Sequence, residues 1–582
     1  MTAFLGVERS LTGRRWIGPD AKQARLTQAL HQREGLLPAV AQVLARRGVL
    51  PEDAGRFLAP TLRDLLPDPR RLRGMEAAGA RLLQALSRRE RVAIFADYDV
   101  DGGASAALLL DWLRQQGHDA TLYIPDRIDE GYGPNAPAMA KLAQGHDLII
   151  CVDCGTQSHA PIAAAKGADV MVLDHHLAGA TLPDCLAVVN PNRQDEDGRL
   201  GHLCAAGVVF LLLVEANRQA RAAGCTGPDL RAMLDLVALA TVADVAPMVG
   251  VNRAFVRQGL SVMARRVRPG LVALTDAAGL DQRANSSHLG FVLGPRVNAG
   301  GRIGKADMGA RLLSSTSRAE AEPLAALLET YNTDRREIED QVRNAALAQI
   351  GTRATDGALV WAADQGWHPG VVGIVASRLA EMTHRPAIVI GFEGDAGKGS
   401  GRSIPGVDLG AAVQRLVAEG LLARGGGHRM AAGLSLTRAQ LAPAMARLEE
   451  LLARQGAAAD RGAADLRLDG ALMPGGVTPG LIEELEAAGP FGAAAPAPRF
   501  AVPDVTIGHA RRVGDAHLKL RLNADGGQAL DVICFRAFET ALGQALAETN
   551  GRPVHLAGRV EINVWRGRRS AQLRLDDAAW AG

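Results

Sequence analysis

Six cysteines in 582 residues (Cys151, Cys154, Cys185, Cys204, Cys225 and Cys534) are too few and too scattered for a disulfide framework. That usage fits a reducing compartment, and a cytoplasmic location is the expectation. Long hydrophobic runs are also missing. Nothing approaches the roughly 18 apolar residues that cross a bilayer, so no membrane association is expected. The start, "MTAFLGVERSLTGRRW", lacks the apolar stretch and small-residue cleavage site of a secretory leader. Aromatics are only 4% of the chain, which leaves no continuous base-stacking platform, and Tyr132, Phe535 and Trp565 are the isolated candidates. Charge of one sign is lacking too: a net charge of +2 predicts no general attraction for nucleic acid. The cations present are mostly arginine, whose planar fork suits bidentate contact with phosphate.

What is present is a repeated strand, loop and helix pattern. "RVAIFAD", "HDLIICVD", "ADVMVLD" and "LAVVNP" read as short buried strands between Ala-rich helices, which implies a parallel sheet. The expected fold class is α/β: two α/β lobes joined by a long helix around a cleft, with a C-terminal β-barrel of the oligonucleotide-binding type. The expected domains are an N-terminal extension at 1–75, a catalytic domain at 76–317, a connector helix at 318–353, a second α/β domain at 354–458 and the barrel at 459–582. Closely spaced short strands such as "AHLKLRLNA" and "PVHLAGRVEINVW" carry the last assignment.

Three strands of the first domain end in acid: Asp97 with Asp99 and Asp101, then Asp153, then Asp174 followed by His175 and His176. One such aspartate is usually a helix cap or turn former. Three endings on the shared carboxyl edge of a parallel sheet converge, and converging carboxylates repel unless a cation holds them. Asp244 closes an apolar helical run, "LATVADVAPM", and joins the set. Mixed Asp and His ligands suit Mn²⁺ or Mg²⁺, and several carboxylates suit two ions about 3.5–4 Å apart. Cys151 and Cys154 form a C-x-x-C at a strand end with no second pair nearby, which reads as packing rather than a zinc or redox site.

"DYDVDG", "VDCGT", "DHH" and "TVADV", in that order, resemble the signature of the DHH phosphoesterase superfamily. "GWHPGVVGIVASRL", "GSGRS" and "GGHRMAAGL" resemble the DHHA1 domain that accompanies it, and "LGPRVNAGGRIGKAD" with the β-rich tail narrows the likeness to the RecJ family of exonucleases. The resemblance implies a 5′-to-3′ exonuclease that degrades single-stranded DNA to 5′-mononucleotides in repair and recombination. It implies Asp97, Asp99, Asp101, Asp153, His175 and Asp244 as metal ligands and His176 as a further catalytic residue. It implies substrate contacts at Ser400, Arg402 and Ser403, read here as part of a Gly-rich loop offering backbone N–H groups, and at Arg296, Asn298, Arg302 and Arg127. His368 and His428, flanked by glycines, are added as binders. The chain departs from the family at Phe95, where many relatives have histidine, at Val100, at "GGAS" and at "PFGAAAP". A monomer is expected, with single-stranded DNA, a single-strand-binding protein and a helicase as partners. Two alternatives stay open: the same scaffold cleaving short oligoribonucleotides or cyclic dinucleotides, and a non-catalytic DNA-binding scaffold.

Overall fold

The computed structural model describes residues 3–581 except 128, 352–356, 457–464, 515, 524–528, 549–550 and 566, and the side chains of 539, 541 and 565 also lie outside it. The stacking candidate Trp565 therefore falls outside the described side chains. The chain divides into two compact units, one of Pro67–Pro247 with Gln258–Asp460 and one of Met1–Leu66, Met248–Arg257 and Arg461–Gly582.

The first unit opens with the expected sheet. Strands β1 (Val92–Ala96), β2 (Ala120–Tyr123), β3 (Leu148–Val152), β4 (Asp169–Leu173) and β5 (Ala187–Val189) are all parallel, in the order β2-β1-β3-β4-β5. Every residue of β1 and β3 is buried, as expected of strands covered on both faces. The flanking helices include α1 (Val100–Gln115), α2 (Ala205–Ala222), α3 (Leu234–Ala243) and α4 (Gly294–Ile303). Helix α1 starts where Asp99 caps it, its carboxylate accepting from the N–H groups of Asp101 and Gly102.

The connector is a single helix, α5 (Arg318–Gly351). It buries Ala321, Ala325, Leu328, Asn332, Arg335, Glu339, Val342 and Ala346, alternately four and three residues apart. That spacing puts one stripe along a helix of otherwise charged surface. Beyond it lies a mixed sheet of β6 (Val360–Gln365), β7 (Ala387–Glu393), β8 (Ala396–Arg402), β9 (Arg424–His428) and β10 (Ala431–Thr437), ordered β9-β10-β8-β7-β6, with helix α6 (Pro369–Thr383) between its first two strands.

Here the structure corrects the sequence reading. "GKGSGR" is no loop but strand β8, paired along its length with β7 and β10, so its backbone N–H groups are spent in the sheet. The glycines serve packing: a Cβ at Gly397, Gly399 or Gly401 would come within 2.4–2.8 Å of Phe392, Ile390 or Ile388. Alternation then places Ser400 and Arg402 on the opposite face.

In the second unit a seven-stranded sheet runs, in spatial order, Gly470–Ala471, Phe500–Val505, Val554–Trp565, Arg568–Trp580, Asp531–Cys534, His517–Leu522 and Ile507–Val513. N-terminal residues belong to the same unit. Leu30, Val40 and Leu44 share a core with Leu485 and Phe500, and the buried Trp16 indole N–H donates to Asp577 at 3.0 Å. The Arg253 guanidinium lies 3.8 Å from the Phe57 ring centroid and donates to the carbonyls of Phe57 and Gly489.

Candidate metal centre and phosphate wall

Register alone builds the acidic row. Ala96 pairs with Val152, Val152 with Leu173 and Leu173 with Val189, so the next residues, Asp97, Asp153, Asp174 and Asn190, line the carboxyl edge of the sheet. The ladder continues through them: Asp153 N–H donates to Leu173 O at 2.9 Å and Asp174 N–H to Val189 O at 3.1 Å. Between β1 and β3 the strand order reverses, which is where open α/β sheets bind ligands.

Asp153 takes a left-handed φ of 60°, a conformation that costs a non-glycine residue about 1–3 kcal/mol and clusters at functional sites. Its Oδ1 lies 3.2 Å from His175 Nε2, and the same nitrogen is 3.7 Å from Asp101 Oδ2 and 3.8 Å from Asp244 Oδ2. Three overlapping sets (Asp97, Asp99, Asp153; Asp153, His175, His176; Asp101, His175, Asp244) each bring their ligand atoms within 4.8 Å of one another. Asp153 and His175 are each shared by two sets, so the three sets form one contiguous cluster of donors. The donor set fits divalent cations on a further ground: Oδ1 of Asp97 and Oδ1 of Asp153 are buried without a hydrogen-bond partner.

The electrostatics agree. Burial first, then the Asp99 charge, pushes the Asp97 carboxyl well above the usual range, and burial followed by Asp101, Asp99, Asp97 and Asp244 does the same for Asp153. Asp244 is pushed up to about 8 by burial and by Asp101 and Asp99. Burial also raises Asp101, although its carboxylate accepts from the first N–H groups of α2, Ala205 at 2.6 Å and Ala206 at 2.8 Å. A carboxylate cluster so strained carries a deficit of positive charge.

One glycine fixes this geometry. A Cβ at Gly102 would sit 2.4 Å from the Asp97 carbonyl oxygen. Gly102→Ala must therefore displace the first acidic loop, and a shift of about 1 Å at a reacting site costs on the order of 100-fold. Steady-state digestion of single-stranded DNA should show that loss, and a variant with wild-type turnover would contradict the packing argument.

Around the acids Asp174, His175 and His176 are tied to Thr156, Asn190 and Asn192, three residues that the sequence did not single out. Asp174 Oδ1 receives His176 Nδ1 at 2.8 Å and the N–H groups of His175 and His176, and its Oδ2 receives that of Thr156. Burial alone would raise this carboxyl, but the His176 contacts and Thr156 hold it below the usual range. Burial lowers and the Asp174 hydrogen bond and charge raise His176, with a net rise to about 9. Asn190 Nδ2 donates to His176 O and Asn192 Nδ2 to His175 O. "NPN" after β5 was the available signal, since it stands at the same edge as the acids. Tyr132, considered only for stacking, donates its hydroxyl hydrogen to Asp153 O at 3.0 Å and lies 3.1 Å from His176 Nδ1.

Across from the acids the two lobes of this unit bring arginines together. Arg302, on α4, donates to Gly370 O at the start of α6, at 3.1 Å. Arg402 donates to Ser400 Oγ at 2.9 Å, and an added Cβ at Gly373 of α6 would touch both of their side chains. Arg127 lies 5.2 Å from the Tyr98 ring centroid, and its charge, second to burial, lowers the proton affinity of Arg302 (to about 10), Arg402 and His368. None of Arg127, Arg302 and Arg402 has a carboxylate within ion-pair distance among the described residues. His368 caps α6 through its Nδ1, which accepts from Gly370 N–H.

Other expected binders lie elsewhere. Arg296 is buried, its guanidinium spent on Glu329 and on Val292 O, so it braces α4 against α5. Asn298 Oδ1 accepts from Val100 N–H at 2.9 Å and holds the first acidic motif rather than facing outward as a free amide. Ser403 is buried and donates to Val407 O. His428 is exposed at the end of β9, where its Nδ1 accepts from Met430 N–H. Cys151 and Cys154 are fully buried in the sheet core, where burial pushes both thiols up and out of reach of redox chemistry. On the barrel, exposed Phe535 carries His517 edge-on, ring centroids 5.1 Å apart, and the Arg574 guanidinium 5.0 Å from its centroid.

Three family models match the chain: the DHH family N-terminal domain over residues 91–241, the DHHA1 domain over 356–454 and the RecJ OB domain over 468–577. The single-stranded-DNA-specific exonuclease RecJ of Dickeya dadantii is 39% identical over 561 residues, covering 93% of this chain and 96% of the relative. Its Escherichia coli counterpart is 37% identical over 576 residues, covering 93% and 96%. Among solved structures, RecJ of Thermus thermophilus in complex with Mn²⁺ matches with a TM-score of 0.80 at 30% identity, over 97% of this chain and 79% of that one.

Proposed function

The chain belongs to the RecJ family of single-stranded-DNA-specific exonucleases, and from that premise we propose that it enters single-stranded DNA at the 5′ end and releases 5′-mononucleotides. It is a phosphodiester hydrolase that works with Mn²⁺ or Mg²⁺. The observation that carries the proposal is the pairing of an acid and histidine centre with a set of arginines that have no ion-pair partner among the described residues. A metal site alone would serve many phosphoesterases; the arginine wall adds a place for a second phosphate.

Asp97, Asp99, Asp101, Asp153, His175 and Asp244 would hold the ions. Bound there, the cations supply Lewis-acid polarisation of the phosphoryl group and activation of water at neutral pH. The chain does the rest. Arg402, with Ser400 beside it, receives the terminal phosphate, and Arg127 and Arg302 neutralise the charge of the strand lying between them and the acids. His176, oriented through its Nδ1 by Asp174, offers Nε2 to a non-bridging oxygen of the scissile phosphate, where charge builds as the nucleophile attacks. Asn298 and Tyr132 keep the acidic loops in place. The barrel, with Phe535 between His517 and Arg574, grips the trailing strand by stacking and charge. The enzyme would act as a monomer in the cytoplasm, fed with single strands by a helicase and a single-strand-binding protein; no helix of the described residues is long and apolar enough to cross a membrane.

Product analysis tests this reading. Digestion of a long single strand with Mn²⁺ should yield nucleoside 5′-monophosphates and spare blunt duplex. Cleavage restricted to dinucleotides or cyclic dinucleotides would move the chain to another substrate class. In the full chain Phe535→Ala should weaken binding to long single strands by about tenfold, with little effect on very short ones, because a stacked base is worth about 1–3 kcal/mol. Equal affinity of the variant and the wild type for long strands would remove the role assigned to this ring.

A further inference from the structure

Residues 124–127 and 129–133 lie between the end of β2 and Asn135, the cap of helix Ala136–Gly145. This loop carries Arg127 to one side of the site and Tyr132 to the other, and both have their places only if the loop holds one shape. A single carboxylate gathers it. Glu130 Oε2 accepts from the Tyr123 hydroxyl at 2.7 Å and from Asn135 Nδ2 at 3.0 Å, while Oε1 accepts from Asp126 N–H at 3.0 Å. The donors belong to the strand before the loop, the helix cap after it and the first turn within it. The backbone closes the same turn, with the N–H groups of Glu130 and Gly131 both donating to Asp126 O at 2.9 and 3.0 Å.

We propose that Glu130 is a positioning residue: by joining Tyr123, Asp126 and Asn135 it fixes the loop so that Arg127 meets the substrate phosphate and Tyr132 meets Asp153 and His176. The inference rests on the reading of Arg127 as a phosphate contact. Glu130 itself touches neither acid nor arginine of the site among its hydrogen bonds, so its effect is indirect and reaches catalysis through side chains placed three residues before it and two after it. Glu130 is exposed, and its three accepted hydrogen bonds outweigh the cost of desolvation and hold the carboxyl below the ordinary range. Each charge-assisted bond is stronger than a neutral one, which is why an acid rather than an amide suits the post.

The test is a set of mutant cycles on the full chain with Mn²⁺, using a 5′-phosphorylated single strand and reading KM and kcat separately. Glu130→Gln should raise KM about tenfold, and Tyr123→Phe, which removes one of the three donors to the carboxylate, should raise it in the same direction. Added to Arg127→Ala, Glu130→Gln should cost less than a further twofold in KM, since the side chain it places against the phosphate is gone, and what it still does through Tyr132 should fall on kcat. Thermal melting of each variant gives the structural baseline. If Arg127→Ala raises KM but Glu130→Gln multiplies it by the same factor in both backgrounds, Glu130 supports the fold only and the proposal falls. If Glu130→Gln lowers the melting temperature and leaves KM unchanged, it falls likewise. If Arg127→Ala itself leaves KM unchanged, the phosphate reading fails, and the proposal with it, by a result distinct from the other two.

Discussion

Asp153→Asn removes exonuclease activity by at least about a thousandfold and, in the metal-free protein, raises the melting temperature. The two effects have one cause. Asp153 stands in two of the three ligand sets and 3.2 Å from His175, so the amide takes a negative charge from both. Metal catalysis is worth several kcal/mol of transition-state stabilisation, and each 1.36 kcal/mol is a factor of ten. Without cations the same carboxylate is buried among Asp97, Asp99, Asp101 and Asp244, an arrangement that opposes folding. Neutralising it relieves the repulsion. Linkage gives the sign with pH: Asp97, Asp153 and Asp244 have folded-state values above their unfolded ones, so the metal-free fold keeps more protons than the unfolded chain. The contribution of these three acids to stability is therefore greatest below the ordinary carboxyl range and falls as pH rises toward about 8, the Asp244 value. Differential scanning calorimetry in chelator from pH 5 to 8 should show that decline, and saturating Mn²⁺ should reverse it. A metal-free Asp153→Asn protein that melts below the wild type would contradict the account.

Arg402→Ala lowers kcat/KM on a 5′-phosphorylated single strand by about 10- to 100-fold, the range of about 1.5–3 kcal/mol for a hydrogen bond to a charged group. Arg402 is half-buried, its N–H groups directed to Ser400 Oγ and Gly401 O, so the guanidinium is already oriented before substrate arrives. Arg402→Lys should recover little, since an ammonium cannot reproduce a planar fork held by two fixed acceptors. The loss should shrink on a strand ending in a 5′-hydroxyl, where no terminal phosphate is present to be missed. Steady-state kinetics on the two strands separate these outcomes, and an equal loss on both would assign Arg402 to an internal phosphate.

Much of the centre was legible in the sequence because a parallel sheet turns strand order into spatial convergence. Asp97, Asp153 and Asp174 needed only the rule that strand ends share an edge. The connector was legible too, since a charged helical pattern uninterrupted by any apolar strand runs through its 34 residues. The Gly-rich segment misled because glycine suggests a turn. In β8 its want of a side chain instead lets Ile388, Ile390 and Phe392 pack close on the strand, a tertiary reason invisible locally. Strand β2 escaped notice because "ATLY" is short and only partly buried at the sheet edge. Arg296 and Asn298 sit beside Arg302 in one motif, yet a helix sends them to different neighbours, Glu329 and Val100, and only the turn-by-turn geometry separates a brace from a binder. The association of Leu30, Val40 and Leu44 with Phe500 had no local signature, since apolar faces do not name their distant partners.

Polarity of degradation bears most directly on the central claim. A single-stranded DNA labelled at its 3′ end is digested with Mn²⁺, with the 5′ end either phosphorylated or blocked by a bulky group, and with Asp153→Asn alongside. The account predicts that the free 5′ end is consumed, that the blocked strand survives, and that the variant leaves both intact. Release of the 3′ label as a mononucleotide at the outset from the blocked strand would place entry at the other end and contradict it.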